Sequence, residues 1–159
     1  MLHQIVKIKT FRVEAAEREV IKAKAALMSQ QKALNEHREA VEAFRQFILT
    51  EKHRLFKKIE NIAIGLKAIN EYKDDVVALK EELLAREKKT SDLEDQLIQA
   101  EQRVEQAQVR YRKCYVDLQK YEEVTQEIGE NEQRLELAKE EAEQEDLVAS
   151  KILSVSYGS

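Results

Sequence analysis

Few residues in this chain are of a type that could do chemistry. His3, His37 and His53 are its imidazoles and Cys114 is its one thiol. A shared metal ion needs ligands converging at helical spacings such as i and i+4, and these histidines are not spaced to share one face. Cys114 has no second cysteine to pair with, which predicts a reducing cytoplasm and a role as a small apolar packing residue. Lys57-Lys58, Lys88-Lys89 and the cluster Arg110, Arg112, Lys113 are the basic groups that could meet a phosphate backbone. Acidic neighbours interrupt each of them, so they read as charged helix faces and predict no nucleic-acid partner. The sequence contains no Gly-rich phosphate loop, catalytic carboxylate pair or His/Cys ligand spacing, and the expectation is no cofactor, no metal and no enzyme.

The elements that would position any site are dictated by composition. The chain has 159 residues, no proline and three glycines, so short punctuated elements are excluded and a few long ones remain. Charged residues make up 36% and aromatic residues 6%, enough for a thin apolar seam and too little for a layered core. Residues 1–66 carry 13 Lys+Arg and 8 Asp+Glu, a balance of +5, whereas residues 67–159 carry 14 and 23, a balance of −9. A basic first half and an acidic second half attract one another if the chain folds back on itself, weakly for each exposed pair. No apolar run approaches a membrane span, and Met1 to Lys7 lacks a signal-peptide core, which predicts no direct membrane insertion.

A seven-residue repeat dominates the chain. Stepping by seven from Val6 gives Val13, Val20, Leu27, Leu34, Val41, Ile48, Leu55, Ile62, Ile69, Val76 and Leu83; after Thr90 the series resumes at Leu97, Val104, Tyr111 and Leu118. The companion series three residues on is polar at Gln30, His37, Glu51 and Lys58, and stronger later, at Tyr72, Leu79, Leu93, Ala100, Ala107, Cys114, Tyr121, Ile128 and Leu135. Such a period places both series on one stripe of a supercoiled helix. The pattern predicts an all-α, antiparallel two-helix coiled-coil hairpin with a turn near residues 63–70. Arm one covers about residues 2–64 and arm two about 70–146, within one hairpin of residues 1–150, and residues 147–159 form a flexible or frayed tail.

The turn prediction rests on Gly65 closing the first helix in a left-handed conformation and on Asn70 capping the second, with Glu71, Asp74 and Asp75 near its positive end. Thr90 to Glu94, with its capping-box spacing, is a competing break, and Gly129 a possible kink. A turn at Gly65 sets Leu34 opposite Ala100, Leu27 opposite Ala107 and Ala16 opposite Leu118, so that large side chains repeatedly meet small ones, and Leu55 opposite Leu79. Near that turn Leu66, Ile69, Tyr72 and Val76 are apolar where two helices no longer cover everything. They are candidate partner contacts, or equally a small cluster capping the hairpin.

The opening Val6-Lys7-Ile8-Lys9-Thr10-Phe11-Arg12-Val13-Glu14-Ala15-Ala16-Glu17 resembles the start of the YscO proteins of type III secretion systems. Arg12-Val13-Glu14 followed by Ala16-Glu17 is similar to their Arg-Val-Glu-x-Ala-Glu, and Arg54-Leu55-Phe56 to their Arg-Leu-Phe. The resemblance implies an antiparallel hairpin like that of the flagellar FliJ proteins and the rotary ATPase γ subunit. It implies a central stalk and chaperone-escort role, with a hexameric secretion ATPase, an export-gate protein and secretion chaperones as partners, at the cytoplasmic base of the apparatus. Carried over residue by residue, it nominates Lys7, Lys9, Arg12, Glu14 and Glu17 as ATPase contacts, and it implies a monomer when free. The alternative from the repeat alone is a tethering coiled coil, one long helix that dimerises in parallel.

Overall fold

The structure, a computed structural model, describes residues 1–60 and 65–157, with side chains to Val155. Two helices make it up: α1 from Leu2 to Glu60 and α2 from Leu66 to Tyr157. Their length follows from a sequence rich in Ala, Leu, Glu, Gln and Lys, the strong helix formers, with no proline to interrupt them. The fold is an all-α helical hairpin, without strands among the described residues.

The helix ends differ from the sequence reading in physical detail. Gly65 opens α2: its carbonyl accepts hydrogen bonds from the N–H groups of Ala68 at 3.1 Å and Ile69 at 3.4 Å. That is the N-cap position, which glycine tolerates well, and no described glycine has a positive φ. Asn70 therefore lies inside α2 and not at its cap, and Glu71, Asp74 and Asp75 follow the first turn. Asn61 to Ile64, part of the expected turn, lie outside the described residues. Neither Thr90 nor Gly129 breaks α2. Thr90 satisfies its hydroxyl inside the helix by donating to the Arg86 carbonyl at 3.1 Å. The helix continues beyond Asp146 to Tyr157; Gly158 and Ser159 lie outside the described residues. Once the preceding turns are formed, each added residue needs only propagation, which Ala-, Glu- and Leu-rich sequence sustains.

The seam is that of the heptad pattern. From Val6 to Tyr121, every described residue of the two apolar series is buried or half-buried except Lys58 and Gly65. By compactness the chain divides into a terminal unit, Met1–Glu17 with Arg110–Ser159, and a central unit, Arg18–Val109. In the central unit Leu34, Val41, Phe44, Ile48 and Ala100 are buried, Leu34 most deeply. In the terminal unit Ala16 and Leu118 are buried. Leu34 and Ala100, and Ala16 and Leu118, are seam residues as their phase predicts. The contacts His37–Arg86 and Phe56–Tyr72 in the central unit, and Lys9–Asp117 in the terminal unit, however, set the helices about one heptad from the register that places Leu34 opposite Ala100 and Ala16 opposite Leu118.

Candidate partner-binding surfaces

A two-helix seam encloses no deep cleft, so binding chemistry has to come from what the seam leaves outside. In the central unit, interhelical contacts define two distinct sides. On one, Arg38 pairs with Glu94 at 3.1 Å and Arg45 with Glu87 at 3.2 Å. Partners rise by seven on α1 as they fall by seven on α2, the signature of antiparallel pairing at the positions flanking the seam. This excludes the single long helix of the tethering alternative. Arg45 also holds Glu42, at 3.1 Å; its guanidinium, with help from Gln46, keeps the Glu42 carboxyl below its ordinary range. On the other side Glu51, Arg54, Leu55, Asp75, Ala78, Leu79 and Glu82 line a shallow groove. There the Arg54 guanidinium hydrogen-bonds both Glu51 oxygens and lowers that carboxyl's pKa.

Between the two sides the seam carries a polar node. His37 donates from Nε2 to the Arg86 carbonyl at 2.9 Å, the same oxygen that Thr90 engages. The Arg86 guanidinium lies 4.0 Å from the Phe44 ring centroid and bonds Glu82 at 2.9 Å. The polar seam residues His37 and Arg86 are thus satisfied, one by backbone and the other by an aromatic face and a carboxylate. The sequence marks His37 as an interruption of the stripe, but nothing in its spacing announces that a backbone carbonyl of α2 would receive the imidazole.

In the terminal unit, the five residues nominated near the start of α1 fall into two groups. Lys7, Arg12, Glu14 and Glu17 are exposed. Lys9 is turned inward: its ammonium pairs with Asp117 at 2.6 Å and lies 5.0 Å from the Tyr121 ring centroid, leaving the side chain 17% exposed. Beside them Phe11 is exposed, and from Glu130 to Val155 every residue of α2 is exposed, including Leu135, Leu137, Leu147 and Val148.

Near the start of α2, Leu66 is exposed, whereas Ile69, Tyr72 and Val76 are half-buried. Tyr72 meets the edge of Phe56, centroids 6.5 Å apart. A small cleft there is lined by Leu55, Lys58, Ile59, Ala68, Glu71, Tyr72 and Asp75. Sequence reasoning overlooked Phe56 as a packing partner because its heptad position faces outward. Among the described residues no group of three His, Cys, Asp or Glu side chains is placed to hold a metal ion, and no helix is long and apolar enough to cross a membrane.

Comparison with known proteins adds two findings. A family model described as "Type III secretion protein YscO" matches residues 2–150. The crystal structure of the type III secretion protein YscO from Vibrio parahaemolyticus superposes with a TM-score of 0.86 at 19% identity, covering 92% of each chain. No curated protein sequence matches.

Proposed function

This chain belongs to the YscO family of type III secretion proteins, and from that premise we propose that it serves as the stalk and chaperone-escort component of a secretion apparatus. In this reading it acts in the bacterial cytoplasm, peripherally at the base of the apparatus, and without catalysing a reaction. The observation that carries the proposal is the family match over residues 2–150 in a chain folded as a helical hairpin.

Work is done by binding. The terminal unit meets the hexameric secretion ATPase through Lys7, Arg12, Glu14 and Glu17, whose charges are free to reach outward. Lys9 contributes by holding α1 against Asp117 and Tyr121 of α2. The end of the central unit at the start of α2, with Leu66, Ile69, Tyr72 and Val76, engages the export-gate protein, and secretion chaperones are captured and released non-covalently. Charged side chains clustered around an exposed aromatic such as Phe11 fit an interface with an apolar centre and a polar rim. The free protein is a monomer in this scheme, since the heptad seam is already satisfied within one chain.

Addition of the purified protein to its cognate secretion ATPase is expected to raise ATP hydrolysis. Arg12→Glu with Glu17→Lys should abolish the increase while leaving helicity intact. If the wild-type protein neither binds nor stimulates at any ratio, the stalk reading is wrong.

A further inference from the structure

In the central unit, the side carrying Arg38–Glu94 and Arg45–Glu87 changes character one heptad further towards Glu60. The equivalent positions there are Lys52 on α1 and Lys80 on α2, and one heptad beyond they are Ile59 and Lys73. A row of ion pairs becomes a row of lysines. None of the three has an ion pair among the described residues. Like charges at positions that flank a seam oppose pairing of the two helices, so they do not serve the hairpin itself.

Apolar side chains frame the lysines. Leu49 and Phe56 on α1 are 61% and 56% exposed, and Leu84 and Val77 on α2 are 65% and 51% exposed. All four occupy the heptad position next to the lysine row. Leu49 and Phe56 are one heptad apart on α1, and Val77 and Leu84 one heptad apart on α2. Within each helix that spacing is about 10 Å along the axis. On the reverse side the groove lined by Glu51, Arg54, Asp75 and Glu82 is predominantly acidic. The lysine–leucine character therefore belongs to one face.

We propose that this face receives an amphipathic helix of a partner protein, carrying two apolar anchors about seven residues apart with acidic residues between them. The incoming helix would lie along the groove between α1 and α2, cover the four apolar side chains, and neutralise Lys52, Lys73 and Lys80. Broad anionic surfaces fit less well. Asp74 and Glu81 on the outward edge of α2, and Glu60 on that of α1, repel a bilayer or nucleic acid while leaving a lysine strip one helix wide. The inference rests on the reading that this protein works by binding other proteins, and not on which end meets the ATPase.

The full-length protein is titrated with two synthetic helical peptides, both with leucines seven residues apart. One has glutamates between them and the other lysines. The glutamate peptide is expected to bind and the lysine peptide not to. Leu49→Ser with Leu84→Ser should weaken the glutamate peptide about tenfold or more, and Lys52→Glu with Lys80→Glu should reverse the preference. Leu49, Leu84 and Lys80 are exposed and Lys52 is half-buried without an ion pair among the described residues, so both double variants should unfold at the wild-type urea midpoint; Phe56 is left intact because it packs on Tyr72. Equal binding of both peptides, binding of neither, or retention on phosphatidylglycerol vesicles that is lost in the same variants would overturn the proposal. So would self-association lost in those variants, which would assign the face to a second copy. ATPase stimulation measured in parallel separates the two readings. A variant that loses the peptide but still stimulates leaves the stalk reading intact, and a wild-type protein that binds the peptide without stimulating refutes the stalk reading alone.

Discussion

The central and terminal units are cut from one heptad pattern and use it differently. In the central unit both helices contribute long stretches, and Leu34, Val41, Phe44, Ile48 and Ala100 are buried between them. The terminal unit sets Met1–Glu17 against Arg110–Ser159, so most of α2 there has no facing helix. Its apolar residues from Leu135 to Val155 stay in solvent. An apolar side chain stabilises a coiled coil only where a second helix closes over it. Leu34 and Leu135 are chemically the same residue, one 2% and the other 72% exposed.

That contrast makes the sharpest prediction. Leu34→Ala should destabilise the protein by about 2–4 kcal/mol, the transfer term plus the cavity it leaves. Leu135→Ala should lie within about 0.5 kcal/mol of wild type. Urea unfolding followed by circular dichroism measures both, and a large effect at Leu135 would show that its helix has a partner in solution.

A smaller effect is expected where the terminal unit does hold its helices together. Lys9 is mostly covered, and its pair with Asp117 is supported by the Tyr121 ring. Lys9→Ala should cost about 1 kcal/mol and lose part of that difference in high salt. A null result would leave Ala16 and Leu118 as what joins α1 to α2 there.

The smallest expected effect concerns acid. Glu42 and Glu51 have pKa values lowered from 4.5, by hydrogen bonds from Arg45 and Arg54 respectively. A carboxyl whose folded pKa is depressed contributes stability that is complete above its unfolded pKa. That contribution is lost as pH falls through the lower folded value. Stability should therefore decline as pH drops below about 4.5, and Glu51→Gln should make the decline shallower. Glu42 is exposed, Glu51 is half-buried, and both belong to the central unit, so unfolding curves at pH 7 and at acid pH test it. A decline unchanged by Glu51→Gln would remove this pair from the account.

How much was legible in the sequence differs residue by residue. The helical hairpin was legible, because twelve apolar residues at sevenfold spacing and an absence of proline leave few alternatives. Leu34 and Ala16 were legible as seam residues by their phase. The helix boundary at Gly65 was only approximate, because glycine suits either end of a helix and the choice depends on which carbonyl meets Ala68 and Ile69. Lys9 shows the same limit for the candidate site. Its neighbours Lys7 and Arg12 face solvent as a charged motif suggests, but Lys9 falls on the seam, and the long stem of lysine lets its ammonium reach Asp117.

The sequence by itself determined the secondary structure, the seam and the asymmetry of charge between the two arms, because periodicity and propensity are local properties that every turn of helix repeats. Only the tertiary structure decided which charges find partners. Arg45 and Lys52 are one heptad apart on α1, yet Arg45 meets Glu87 while Lys52 is set across from Lys80. That difference lies in the register between two distant segments, and register is fixed by how the whole seam packs, not by either segment alone.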